Sequence, residues 1–550
     1  MINWRIVSSL IVSGCVCFAF ATDSQSISYD ELLLLLDQDE EIDVAMLTIE
    51  LGESEFDGSD LLELALYESQ VNLLLPQPLK LGPIGSAILD RFQFSLPGHI
   101  ALREFYQHVN EPSAKFHDER SELIRDYMRG TGDGGADNPF RAFTSAQAEL
   151  FVSETGHQVL GSMYDATETH EFVLRITQSK EGLESAEVVF DLSPSIERYA
   201  TVLNLPPDIS RQGRHQRVIA WLARENDDAA QLSLGLAYLR RNQADSAIGW
   251  LTRAEQSGND LAHVILANLY LERVNAYGDR VRQLNLARDH LNEAVAAGHT
   301  PSMRQLGVLL VRGEYGDEAK DEGVLILEQA VARNDTMAMR LLSSIYVDNQ
   351  FEGQDFEKAA NLLRDASVLG SSEARIEYYR VLMDQTANLT LTQQAVDWLV
   401  EEAETNNVSA MVELGNCHAL GCLARPNFRK ARRWYRRAVE ADPENASLIN
   451  SVAWTLAVSH IKRLRDPRLA IKLMDDLMEN DSEARQIPQY VDTWAAAYAA
   501  AGRFKRAVEI QTEALQLAKS SNFVSSEDLE LMTKHLTLFE KQESVSEEIP

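Results

Sequence analysis

Across the C-terminal half of the chain, apolar residues recur at spacing 0, +3, +4 and +7. The sets are Ala247, Trp250, Leu251, Ala254; Ala287, His290, Leu291, Ala294; Gly323, Ile326, Leu327, Ala330; and Ala359, Leu362, Leu363, Ala366. An imperfect set follows at Ala395, Trp398, Leu399 and Ala403, then Ala431, Trp434, Tyr435, Ala438; Ala470, Leu473, Met474, Leu477; and Ala507, Ile510, Gln511, Ala514. This spacing puts one apolar stripe along a helix. The last members fall at 254, 294, 330, 366, 403, 438, 477 and 514, a helix–turn–helix repeat length throughout. A second pattern precedes several of these helices: Leu234, Gly235, Tyr238; Leu266, Ala267, Tyr270; Leu342, Ser343, Tyr346; and Leu414, Gly415, His418. Gly258, Gly298, Asn334 and Gly370 follow second helices and suit a left-handed C-cap.

The small positions let neighbouring helices approach closely, while the large ones fill the space between repeats. The predicted repeat core therefore includes Gly235, Trp250, Ala254, Gly307, Ala330, Ala366, Gly415, Trp434, Tyr435, Ala438, Tyr498, Ala507 and Ala514. Tryptophans at these positions, Trp398 included, read as inter-repeat core and not as ligand contacts. The run Leu414-Gly415 to Ala438, with Gly421 in the turn and Lys430, Ala431, Trp434, Tyr435 and Ala438 after it, resembles a Sel-one-like repeat, a variant of the tetratricopeptide repeat. His418 stands where that pattern has an aromatic, and Leu423 where it has a second turn glycine. Residues 447–519 resemble the tetratricopeptide repeat proper, through Asp492 to Tyr498, Ala501 to Phe504 and Ala507. The resemblance covers about 216–519 and implies a right-handed α-α superhelical solenoid whose concave surface, built mainly by first helices, holds a partner.

The predicted fold is thus mainly α: a repeat solenoid at 206–519, preceded by a smaller α+β module at 81–205. Residues 22–80 read as an acidic helical segment, with Leu32 to Leu36 and Leu61 to Leu66 as apolar cores. Residues 98–129 read as helix. His157 to Met163, Glu171 to Thr177 and Ala186 to Leu192 read as strands, and Pro206-Pro207 as the boundary. Gly130 to Pro139 reads as a mobile surface loop, whose Asp133, Asp137 and Asn138 do not fit an EF-hand spacing. Ser525 to Glu540 is expected to form a helix with Ser525 as its cap. Its stripe of Leu529, Met532, Leu536 and Phe539 would cover the last repeat, leaving Glu543 to Pro550 as a disordered acidic tail within 520–550.

Charge narrows the partners. The 550 residues carry a net charge of −33, which disfavours nucleic acid and anionic membranes. No Lys or Arg occurs from Thr22 to Leu79. The chain opens with Arg5, an apolar run from Ile6 to Phe20 and Ala19-Phe20-Ala21, the pattern of a signal peptide cleaved after Ala21. Val12 to Cys15 offers a lipobox as the alternative, with lipid on Cys15. No other apolar run is long enough for a transmembrane helix. Cleavage would leave Cys417 and Cys422, an even pair expected to form one disulfide in an oxidising compartment. So short a loop should stabilise by about 2 kcal/mol.

No catalytic signature stands out: His-Glu-x-x-His, Gly-x-Ser-x-Gly and the phosphate-binding glycine loop are all missing from the sequence. The 12 histidines show no metal-ligand spacing, so no metal, cofactor or enzymatic role is predicted. Arg429, Arg432, Arg433, Arg436 and Arg437, with Lys430, form the one dense basic cluster. They read as a solvated helix face or a docking patch for an acidic partner, polysaccharide or the chain's own acidic segment. The expected function is an exported, periplasmic or secreted envelope scaffold binding other envelope proteins. The alternative is an envelope enzyme or polysaccharide-binding protein acting through its N-terminal module.

Overall fold

The computed structural model describes residues 58–180, 182–274, 279–422, 425–520 and 524–548. The signal-peptide and lipobox readings, Cys15 among them, and the acidic stretch up to Asp57 lie outside the described residues. The chain divides into two compact units: one through Lys180 with Ser185–His299, the other comprising Glu181–Glu184 and Thr300 onward.

The first unit opens with four helices, α1 (Gly58–Leu74), α2 (Pro78–Leu89), α3 (Leu96–His108) and α4 (Ser113–Gly130). The expected single helix over 98–129 is two, because Asn110 turns left-handed at φ 56° and Pro112 starts a new helix. Strand β1 (Phe140–Arg141), α5 (Ser145–Glu154), β2 (Gln158–Asp165), β3 (Val173–Lys180) and β4 (Leu183–Asp191) follow. The sheet order is β1-β4-β3-β2; β1 runs parallel to β4, and β2 is antiparallel to β3 with a bulge between Val159 and Gly161. The three predicted strands are present, and the two-residue β1, helices α5 and α6 (Ser193–Val202) and most of α2 are additions. The glycine-rich loop is not free. Gly134 accepts from Val189 N at 2.9 Å, and Asp133 Oδ1 is taken by Gly135 N at 2.8 Å, so this carboxylate caps its own turn.

Helices α7 (Arg211–Leu222), α8 (Asp228–Arg240), α9 (Ala244–Gln256), α10 (Leu261–Arg273) and α11 (Arg280–Ala296) complete the unit. One apolar core joins Leu174 and Phe190 of the sheet, and Phe172 just before β3, to Val218, Leu222 and Ala230 of α7 and α8. For that reason the compact unit does not end at Pro206-Pro207: the first repeat helices share the module's core and divide from the rest at His299.

The second unit contains α12 (Thr300–Val311), α13 (Lys320–Val331), α14 (Thr336–Val347), α15 (Phe356–Val368), α16 (Ser372–Met383), α17 (Gln393–Glu404), α18 (Val408–Leu420), α19 (Phe428–Ala441), α20 (Ala446–Val458), α21 (Pro467–Asn480), α22 (Pro488–Ala500), α23 (Phe504–Ser520) and α24 (Ser526–Glu540). Adjacent helices pack as antiparallel pairs from α12–α13 to α22–α23, and α8–α9 and α10–α11 repeat the device in the first unit. The eight predicted stripes fall on the eight second helices, and their alanines are buried. Gly258, Gly298, Asn334 and Gly370 take positive φ of 95°, 93°, 62° and 97° after their helices.

Close approach explains the glycines inside first helices. A Cβ on Gly307 would sit 2.6 Å from Leu327, and one on Gly323 would sit 2.7 Å from the Gly307 carbonyl, so α12 and α13 meet almost backbone to backbone. Gly235 and Gly415 instead make room for side chains, those of Leu251 and Tyr435. Ser525 caps α24 by accepting from Asp528 N at 3.0 Å, and Met532 and Phe539 are buried. The tail differs from expectation. Glu547 N donates to Val458 O at 2.9 Å, Trp454 Nε1 donates to Glu547 at 3.0 Å, and Val545 is buried, so residues through Glu547 dock on α20. The apolar Val545 gives the acidic tail something to bury, which its charge pattern concealed.

Candidate functional site

Each unit carries a concave feature lined by polar side chains. In the second, a groove of about 340 Å³ runs across α18, α20, α22 and α24. Val412 and Asn416 come from α18, Asn450 and Trp454 from α20, Gln489 and Asp492 from α22, and Asp528 and Leu531 from α24; Tyr435 is the one contribution from a second helix. First helices line it because each second helix buries its stripe against the pair beside it. The groove alternates amides and carboxylates with Val412, Trp454 and Leu531, a surface suited to an extended polypeptide with both polar and apolar side chains.

Its polar groups are held in place. Tyr435 Oη donates to Asn416 at 2.7 Å, which fixes the asparagine at the groove wall. Asp492 is buried and receives Gln511 Nε2 at 2.5 Å and faces His535 Nδ1 at 3.0 Å, joining α22, α23 and α24. The Tyr435 hydroxyl is pushed above its usual range by burial and by the nearby Glu413 charge, so it remains a donor.

The first unit holds the other feature, a cleft of about 750 Å³ bordered by α1, α5, β2 and the N-terminus of α8. Its polar wall carries Glu149, Asp227 and Asp228. Ser162 Oγ donates to Glu149 at 2.7 Å, Tyr164 Oη donates to Asp227 at 2.9 Å, and Asn259 Nδ2 donates to Asp228 at 3.1 Å. Asp227 is also the N-cap of α8, accepting from Ala230 N at 2.8 Å. Burial raises all three carboxyls; Asp228 reaches about 7, pushed further by the Asp227 charge, and Glu149 is pushed further by Asp228. Nearby, Glu68 is buried with Ser95 and Thr144 as donors, and burial raises it to about 7. Such a cluster of raised carboxyls in a cleft is what a ligand-binding module requires, and sequence reasoning missed it. Only the Asp227-Asp228 pair ahead of an apolar run left a trace, and that pattern is also the ordinary sign of a helix start.

The residues predicted as repeat core divide by burial. Gly235, Ala254, Gly307, Ala330, Ala366, Gly415, Tyr435, Ala438, Ala507 and Ala514 are buried, whereas Trp250, Trp434 and Tyr498 are half-buried at the margin. Arg253 lies over Trp250 and Arg437 over Trp434, each at 4.7 Å, and Tyr498 Oη donates to Asp475 at 3.1 Å. The basic cluster also divides. Arg432 donates to the Arg463 carbonyl at 2.6 Å and Arg437 is taken by Trp434, while Arg429, Arg433 and Arg436 are exposed with no ion pair among the described residues. Not every arginine of α19 therefore points outward: Arg432 brings the loop bearing Lys462 and Arg463 to the helix and widens the basic patch. Cys417 and Cys422 stand at bonding distance, with Cα atoms 5.2 Å apart, across the turn at Gly421.

No family model and no curated protein matches the chain. Among solved structures it is similar to a protective antigen present in uropathogenic Escherichia coli strains displaying an SLR fold, at 18% identity and TM-score 0.39, covering 64% of this chain and 80% of that one. It is similar to a Sel1 repeat protein from Oxalobacter formigenes at 17% identity and TM-score 0.42, covering 57% and 89%. A third is the P58(IPK) tetratricopeptide domain, at 14% identity and TM-score 0.18, covering 63% and 98%. The fold class itself rests on the helix pairs described above.

Proposed function

We propose that the chain is an exported cell-envelope scaffold that holds an extended segment of a partner protein in the groove across α18, α20, α22 and α24. The observation that carries this reading is the groove itself: four helices together line it with polar and apolar side chains, with Asn416 fixed by Tyr435 and Asp492 fixed by His535. Such a surface binds through many modest contacts and has no single reactive group. Export rests on the signal-peptide pattern of residues 1–21, and the disulfide between Cys417 and Cys422 would follow from an oxidising compartment.

The test is crosslinking in intact cells, with affinity purification and mass spectrometry of the captured partner and of the mature N-terminus. Crosslinks at α20 and α22 that vanish in N416A and Q489A support the reading; crosslinks confined to residues 58–205 overturn it. A mature chain starting at Thr22 supports simple cleavage, and one starting at a lipid-bearing Cys15 supports anchoring.

A second reading has its own observation, the cleft bearing Glu149, Asp227 and Asp228. There the N-terminal module would bind a small polar ligand such as a saccharide, whose hydroxyls can donate to the carboxylates. Glycan screening of the intact protein distinguishes the two: binding lost in D228N assigns the module a ligand of its own.

A further inference from the structure

We propose that Glu255, His263 and His290 form a binding site for one divalent transition-metal ion of the zinc class. The three residues come from consecutive helices of the first unit, Glu255 from α9, His263 from α10 and His290 from α11. One carboxylate oxygen and one nitrogen from each imidazole all lie within 4.8 Å of one another. Sequence spacing could not disclose this set, because the ligands are 8 and 27 residues apart and meet only when two repeats stack.

The distances fit the ion. Ligands at about 2.05 Å in tetrahedral geometry stand about 3.3 Å from one another. The Nδ1 atoms of His263 and His290 are 3.1 Å apart, and the Glu255 carboxylate is 4.0 Å from His263 Nδ1, a gap that a small side-chain rotation closes. Two imidazole nitrogens aimed at each other satisfy one another only if one carries a proton and the other does not. A metal ion accepts a lone pair from both neutral rings and uses this geometry fully. Tyr270 stacks on His290 with ring centroids 5.7 Å apart and planes 9° apart, which fixes the orientation of that ring. The fourth position is left to water. A bound ion would tie α9 of one helix pair to α10 and α11 of the next.

The same unit supplies its own control. His99 and His117 also meet through Nδ1 atoms, at 3.0 Å, with Tyr106 stacked on His117. There the charged neighbour acting on His99 is Arg120, and no carboxylate joins the pair among the described residues. The Glu255 cluster, not the histidine pair alone, makes the site.

The experiment is titration of the full mature chain, thiols alkylated, with zinc ion alone at neutral pH, read by calorimetry and by the visible absorption of the cobalt-substituted form. One saturable equivalent is expected. H290A should abolish it, and E255Q, whose half-exposed side chain can be changed without unfolding the helix, should weaken it by at least about tenfold, since even outer partners of metal ligands are worth 10 to 100-fold. H99A should bind as the parent does. Absence of a saturable equivalent, its survival in H290A, or full affinity in E255Q would each overturn the proposal. Circular dichroism of the variants separates loss of the site from loss of the fold.

Discussion

The two units bury their carboxylates differently. In the second, Asp335 meets Arg304 and Glu402 meets Arg375 at 2.9 Å. The first also pairs Glu154 with Arg103 and Arg125 and Glu171 with Arg214, but its buried Glu68 and its half-buried Glu149, Asp227 and Asp228 lie among hydroxyls, an amide and one another, with no cation in contact among the described residues. A carboxylate beside a cation keeps its charge when it leaves water, whereas one beside hydroxyls is driven towards its protonated form. The second unit is built as a repeat array; the first has spent stability to assemble a polar cleft. A repeat scaffold needs only the former arrangement, which is why the latter gives the N-terminal module a claim to a ligand.

The largest expected effect tests that contrast through pH. Glu68 is raised from 4.5 to about 7 by burial, and Asp228 from 3.8 to about 7 by burial and the Asp227 charge. A raised carboxyl binds its proton more tightly in the folded state. Its contribution is therefore complete below the unfolded pKa and is lost as pH rises through about 7. Glu68 alone should cost the first unit about 3 kcal/mol over that window. Hydrogen-exchange mass spectrometry in urea, at pH values on either side of the window, should find the first unit opening earlier at the higher pH while the second holds. E68Q should flatten the dependence. Equal movement of both units would dissolve the contrast.

The contrast also separates what was legible in the sequence from what was not. All eight second helices could be read because an Ala-x-x-large-large stripe has one meaning on a helix, and the left-handed caps because few residues tolerate positive φ. Neither concave feature could be read. Asn416 and Asp492 are ordinary polar residues on first helices until stacking lines them up, and Glu149 and Asp228 are 79 positions apart. The tail was misread because Val545 is a single apolar residue amid acids. Local pattern encodes elements; sites made by convergence of distant elements leave almost no local signature.

Glycine substitutions sharpen the comparison next. In the second unit, a methyl on Gly323 meets the backbone oxygen of Gly307 at 2.7 Å; in the first, a methyl on Gly235 meets the Leu251 side chain at 2.8 Å. Backbone cannot yield as a leucine can. G323A should cost about 2–3 kcal/mol and G235A about 1 kcal/mol. Gly249, on α9 with nothing within 4 Å of its would-be Cβ, should instead gain about 0.5–1 kcal/mol on change to Ala. Urea unfolding midpoints at constant slope would rank the three.

The termination of the array gives a smaller effect. Deleting residues 541–550 removes the buried Val545 and the bonds from Trp454 and Glu547, and should destabilise the second unit by about 1–3 kcal/mol. The first unit's exchange rates should stay as they are. A loss spread over both units would mean that they unfold together.

The smallest effect lies on α19, where two neighbouring arginines have different duties. Arg432 donates at 2.6 Å to the Arg463 carbonyl, while Arg433 is exposed and makes no ion pair among the described residues. R432A should cost about 1 kcal/mol, the worth of one charged hydrogen bond at a surface, and should loosen exchange in the loop at 459–466. R433A should change stability by less than about 0.5 kcal/mol. If the patch docks an acidic partner, R433A and R436A together should reduce crosslinking to that partner and steepen neither unfolding curve, and added salt should reproduce the loss in the parent. If it is only a solvated face, crosslinking stays at the parent level while R432A still loosens its loop. One helix would then carry a structural arginine at one position and a solvated one at the next.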